Sequence, residues 1–230
     1  MNKLRKKRGV LLHEGRRVTA VRQNIALAQF LNWLKFKTPC VLIAHNCRAF
    51  DAKHLVKAMT SCNEMKEFRQ KVLGFSDTLT AFRERFPARR FYSQTCLAKD
   101  LLSATYNAHN ARDDVKMLQK LVTKFISEEL LFKHSFTVSW YCEYSRYVQQ
   151  KNENFETLEP LVRSGRISAG IADKAAGSGL TFGHMQFAFQ NGGTDALRNV
   201  LTEVSHGKSR VTTSEKILAE ICNFFQETIG

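Results

Sequence analysis

LIAHNCRAFD, residues 42–51, joins a short apolar run to an Ala-His-Asn turn and ends on an aspartate five residues past Asn46. The run from Cys40 to Ala44 has a β-branched component and is too short for a helix, so it reads as a buried strand. A carboxylate just past such a strand stands where open α/β sheets place their ligand sites. Asp51 is equally placed to be the N-cap of the helix that follows through Leu55, Val56 and Met59. His45 and Asn46 can likewise do no more than satisfy backbone groups at the turn.

Upstream, Ile25, Ala28, Leu31 and Leu34, widened by Leu27 and Phe30, recur at helical spacing and stop at Thr38-Pro39. Downstream, a second strand is expected at Val72 to Phe75. Ser76-Asp77-Thr78 then caps a helix from Leu79 to Phe86, which Pro87 ends. Leu97, Leu101 and Leu102 mark another helix, and Val115, Leu118, Leu121, Val122 and Phe125 mark a long one. Strands alternating with helices imply an α/β architecture with a mostly parallel sheet, although two strands make a meagre one.

After about Lys133 no strand is evident, and glycines at 165, 170, 177, 179, 183, 192 and 193 break short helical patterns. The chain therefore divides into residues 1–133, opening on a basic tail at 1–9, and a helical region at 134–230 whose last helix is expected near Ser214 to Phe225. Trp140, Tyr141, Tyr144 and Tyr147 form an aromatic stripe that reads as a packing face. His184 and Met185 have no spacing that suggests a metal site.

Lys and Arg number 35 against 21 Asp and Glu, a formal net charge of +14, and the apolar share of 43% is that of a folded protein. So basic a balance points to a polyanionic partner, nucleic acid before a membrane surface, because no apolar run approaches the ~20 residues of a spanning helix. Part of the excess also serves solubility. The six cysteines lack CxxC spacing and read as reduced thiols of an intracellular protein. The run Lys3-Leu-Arg-Lys-Lys-Arg8 fits a nuclear import signal, a phosphate-binding tail or a solvated end. Phe82, Arg83, Arg85, Phe86, Arg89, Arg90, Phe91 and Tyr92 interleave rings and cations as a strand-tracking surface would, or place Phe82 and Phe86 in a core beneath solvated arginines.

HNARDDV, residues 109–115, opens the long helix. At ~100° per residue, His109 and Asp114 lie about 140° apart on one helix and converge only if His109 precedes the first turn. Asn107 or Asn110 can cap the helix there. Asp113 is the rival carboxylate, but Asp114 has the better geometry. Carboxylates that hold Mg²⁺ or Mn²⁺, with a histidine to take a proton from water, are the parts of metal-assisted phosphodiester hydrolysis.

Taken together, LIAHNCRAFD and HNARDDV resemble the second and third motifs of the DEDDh 3′-to-5′ exonucleases, whose fold is ribonuclease-H-like. The resemblance implies Asp51 and Asp114 as metal ligands, His109 as general base, Asn46 and His45 at the substrate, and a single-stranded 3′ end as substrate. Asp77-Thr78 is similar to the family's DT pair. The likeness is strongest to the exonuclease-like C-terminal domain of the promyelocytic leukaemia protein and its relatives, through Ala26 to Phe36, Asn63 to Phe68, Gly74 to Pro87 and the glycine-broken tail. It spans most of residues 10 to 205.

One part of the pattern is missing. The family carries a DxE motif on an early strand, and here Glu14 is the only acidic residue before Asp51. The expected fold is thus an N-terminally truncated ribonuclease-H-like domain followed by a small all-helical region. A two-metal site would be incomplete and hydrolysis weak or absent. Retention of Asp51, His109 and Asp114 favours truncation of an active ancestor. A degenerate domain kept as a nucleic-acid-binding or protein-interaction scaffold is the other reading.

Overall fold

The structure is a computed structural model that describes residues 4–7, 10–13, 15–205 and 207–229. It separates into two compact units, Met1–Cys142 and Glu143–Gly230. Lys3, Arg8 and Glu14 lie outside the described residues.

The first unit opens with three short antiparallel strands, β1 (Leu4–Lys7), β2 (Val10–His13) and β3 (Arg16–Arg17), with Leu4 opposite His13 and Leu12 opposite Arg17. Within the basic stretch at 1–9, the described residues Leu4–Lys7 are paired along their length. Helix α1 (Gln23–Leu34) buries Leu27, Leu31 and Leu34, one stripe at i, i+4 and i+7. Its end falls at Leu34, ahead of Pro39.

Next come β4 (Cys40–Ala44), α2 (Asp51–Ser61), α3 (Met65–Lys71) and β5 (Val72–Asp77). Strands β4 and β5 are parallel, with Ala44 beside Asp77. Helices α4 (Thr78–Arg85), α5 (Gln94–Leu102), α6 (Ala111–Phe125) and α7 (Glu128–Lys133) follow, then β6 (Ser135–Thr137). Strand β6 runs antiparallel to β5, so the sheet order is β4-β5-β6 and the sheet is mixed rather than mostly parallel.

That order also corrects the reading of β4 as buried. It lies at an edge of its sheet, and Val41 and Ile43 are exposed while Cys40, Leu42 and Ala44 are half-buried. The central strand β5 is the buried one. Phe75 packs there among the rings of Phe68, Phe136 and Tyr141. A second core joins Ala81 and Phe82 of α4, Leu97 and Ala98 of α5, and Met117 and Leu121 of α6. Val115, expected on that apolar face, is instead exposed.

Helix α8 (Val138–Thr157) begins in the first unit and runs into the second. There α9 (Glu159–Arg163), α10 (Ala169–Gly177), α11 (Phe182–Thr202) and α12 (Glu215–Ile229) surround a core of Leu158, Leu161, Met185, Leu197, Leu201 and Phe225. Helix α11 is two helices meeting at Gly192 and Gly193, and Gly193 takes a left-handed φ of 61°. A two-residue hairpin, β7 (Val204–Ser205) with β8 (Lys208–Ser209), adds strand structure where only helices were expected. His184 sits at the start of α11, completing a capping box with Thr181.

Gly74 explains why β6 can lie against β5. A Cβ at this position would stand 2.2 Å from the Phe136 carbonyl oxygen, so only glycine permits the approach. Gly74→Ala is expected to destabilise the first unit by about 1–3 kcal/mol, the usual cost of overpacking, read as a lower midpoint in urea with the α12 core unaffected.

Candidate active site

Beyond Ala44 the chain turns through His45 and Asn46, and Asn46 adopts a left-handed φ of 59° that Asn tolerates better than most residues. The amide of Phe50 donates to the Asn46 carbonyl and that of Ala52 to the Cys47 carbonyl, so the turn leads directly into α2. Asp51 is the first residue of that helix, where a carboxylate meets the positive end of the helix dipole.

Asp77 holds this turn in place. It is almost fully buried, at 5% exposure, on the end of β5. One carboxylate oxygen accepts from the Arg48 amide and the other from the Leu79 amide, both at 3.0 Å. The first bond ties the β4–α2 turn to β5, and the second caps α4. Its own amide donates to the His134 carbonyl just before β6. The expected cap is therefore present, and one side chain joins three elements.

His45 makes a second clamp. Nε2 is 2.7 Å from the Tyr92 carbonyl oxygen, so Nε2 carries the proton and donates. Nδ1 then accepts from the Thr78 hydroxyl at 3.0 Å. Burial lowers the His45 pKa, which keeps the ring neutral and this tautomer in place. Both ring nitrogens are thereby spent on the protein. Cys47 is buried beside them, and desolvation, then the charges of Asp51 and Asp77, push its thiol up to about 12. It is an inert thiol.

Asp51 feels the same surroundings. Desolvation, followed by the Asp77 charge, raises its pKa, while its backbone amide, His54 and His45 pull it down. Asp114 lies in the first turn of α6, capped by Asn110, whose side-chain oxygen accepts from the amides of Arg112 and Asp113. His109 sits before that turn, exposed, with a left-handed φ of 72°. It therefore precedes the helix that carries Asp114.

Tyr106 and Gln94 were not singled out by sequence, and both converge on Asp114. Desolvation, followed by the hydrogen bond that the Tyr106 hydroxyl donates to the Asp114 carboxylate, pushes the phenol up to about 12. Gln94 Nε2 donates to the Asp114 carbonyl at 2.7 Å. A tyrosine three residues before His109 was the one available signal.

Among the described residues, no group of three or more His, Cys, Asp or Glu side chains stands close enough to hold a metal ion. Two carboxylates on separate helices do not make the clamp that a pair of metal ions needs. Asp51 and Asp114 each stand in the first turn of their own helix.

The aromatic and basic stretch resolves in favour of packing at its apolar end. Phe82 is buried and stacks on Phe86 at 6.3 Å, whereas Arg83, Arg85 and Arg90 are exposed and lie over the rings of Tyr92, Phe86 and Phe91. Beside it, an open cleft of about 490 Å³ is lined by Arg48, Asp77, Thr80, Lys133, His134 and Trp140. Glu84 pairs with Lys133 at 2.6 Å and with His134 at 2.9 Å.

The family model described as Exonuclease matches residues 16–122, which take in Asp51, His109 and Asp114. Residues 16–122 are thus similar to an exonuclease domain. The 3′-5′ exonuclease DinG of Staphylococcus epidermidis is 35% identical over 85 residues, 37% of this chain and 9% of that protein. The chain thus matches only a small part of this relative's length. Residues 154–228, within the helical unit, match the model described as PML, C-terminal domain.

Two outcomes test this geometry. Because folding raises the Asp51 pKa, the folded domain binds a proton more readily than the unfolded chain, so stability falls as pH rises from ~4 through the raised value. Asp51→Asn should therefore raise the melting temperature at pH 7, and the gain should vanish near pH 4. Tyr106→Phe should lower stability by about 1 kcal/mol, the worth of one hydrogen bond, in urea denaturation at pH 7.

Proposed function

We propose that this chain binds nucleic acid through a domain related to metal-dependent 3′-to-5′ hydrolysis of phosphodiesters, and that the 230 residues have little or no hydrolytic activity. The observation that carries this reading is the donor set: Asp51 and Asp114 each open a helix, His109 precedes the second, and no DxE pair stands before Asp51. The match to the exonuclease model and the likeness to a 3′-5′ exonuclease support the substrate class.

In this reading Asp51 and Asp114 are the metal ligands, for Mg²⁺ or Mn²⁺, and His109 is the residue placed to take a proton from water. His45 and Asn46 shape the substrate side by holding the turn rather than by offering free ring nitrogens. The partner is the single-stranded 3′ end of DNA or RNA, consistent with the net charge of +14. No helix among the described residues is long and apolar enough to cross a membrane. The basic run from Lys3 to Arg8 supports a nuclear site of action.

The match of residues 154–228 to the PML C-terminal domain favours a second reading, a scaffold whose exonuclease-family fold is kept for binding alone. A metal titration separates the two. For a site with millimolar affinity, millimolar Mn²⁺ should raise the melting temperature by about 1 °C, and Asp114→Ala should abolish the rise. A pure scaffold shows no rise. Labelled single-stranded DNA with Mn²⁺ should stay intact over hours; degradation that disappears in Asp51→Ala would overturn the inactive assignment.

A further inference from the structure

The helical unit contains a basic cleft separate from every residue of the exonuclease-family site. Its volume is about 600 Å³, and its walls come from Tyr147 and Lys151 of α8, Asp173 and Lys174 of α10, and Lys208 and Arg210 at β8. Four cations and one carboxylate line it.

The acceptors are used up from within. Asp173 pairs with Lys151 at 2.7 Å. Arg210 is held at 2.8 Å by Glu203, which lies outside the lining, and it also donates to the Ser178 carbonyl. The Gly177 carbonyl accepts from the Tyr147 hydroxyl. What the cleft has left to offer is donors: Lys174 and Lys208 are exposed and have no ion pair among the described residues. The Tyr147 ring beside them is 52% exposed, although its hydroxyl is tethered. A fixed aromatic face next to two uncommitted ammonium groups has the makings of a stacking platform with phosphate contacts.

We infer that this cleft binds single-stranded nucleic acid, with Lys174 and Lys208 on successive phosphates and an unpaired base stacked on Tyr147. An acidic peptide would use the cations but not the ring face. A duplex could not offer an unpaired base to it. The site needs neither a metal nor hydrolysis, so it stands or falls independently of the activity of the exonuclease-family domain.

The test uses the full chain in EDTA with a fluorescein-labelled twelve-nucleotide oligothymidine, followed by anisotropy across a range of salt. Lys174→Glu with Lys208→Glu should weaken binding at least tenfold and make the plot of log affinity against log salt shallower by about 1.4, the loss of two phosphate contacts on a single strand. Tyr147→Ala should weaken binding about fivefold or more with the slope unchanged. Arg83→Glu with Arg90→Glu, in the other unit, serves as the comparison. An unchanged affinity and slope in the lysine variant, or a loss confined to the Arg83 and Arg90 variant, overturns the proposal. So does loss of binding to phosphatidylserine vesicles with oligonucleotide binding intact, which would assign the cleft to a lipid surface. Should the lysine variant fail to fold, acetylation of the unaltered protein decides. Bound oligonucleotide should shield Lys174 and Lys208 from acetic anhydride, and equal labelling with and without it overturns the assignment.

Discussion

The buried carboxylate of Asp77 is the constraint on which the first unit depends. A charged group with so little exposure is costly unless its oxygens are hydrogen-bonded, and here each oxygen has a backbone amide. Because those amides belong to the β4–α2 turn and to α4, satisfying one side chain fixes where α2 begins. That in turn sets the position of Asp51. His45 adds a second tie, from the same turn to Thr78 and the Tyr92 carbonyl. A candidate active-site loop is thus held rigidly although much of it lies at the surface.

This architecture gives Asp51 and Asp114 different surroundings. Asp51 is raised by desolvation and by the neighbouring Asp77, so it bears an electrostatic cost while keeping its place at the mouth of the turn. Asp114 is steadied by the Tyr106 hydroxyl and, through its backbone, by Gln94. An unfavourably placed charge is a common mark of residues kept for function rather than for stability.

The two units carry different likenesses, Exonuclease for residues 16–122 and PML, C-terminal domain for residues 154–228. Their cores are built differently. The first surrounds a short mixed sheet whose centre is Phe75, and the second is helical, with Asn154 as a buried polar member that donates to the Ala176 carbonyl. Each unit has its own cleft with basic residues in its lining.

Periodicity in the sequence was enough to specify α1, the span of β4, the Asp77 cap and the long helix α6, because each depends on neighbours within a turn or on a short apolar run. The placement of His109 ahead of α6 was also legible, since Asn110 caps the helix one residue later. Strand β6 was not, because three residues with a single pairing partner leave no pattern, and the signal lay in Gly74 some sixty residues earlier. Nor did the sequence reveal that β4 is an edge strand, which follows from the pairing order alone. The occupancy of His45 depends on partners 33 and 47 residues away, and the support of Asp114 by Gln94 spans 20. Local spacing determined which residues are offered to the site. Only the tertiary structure decided which of them were already committed to holding it together, because hydrogen-bond partners are chosen by proximity in space.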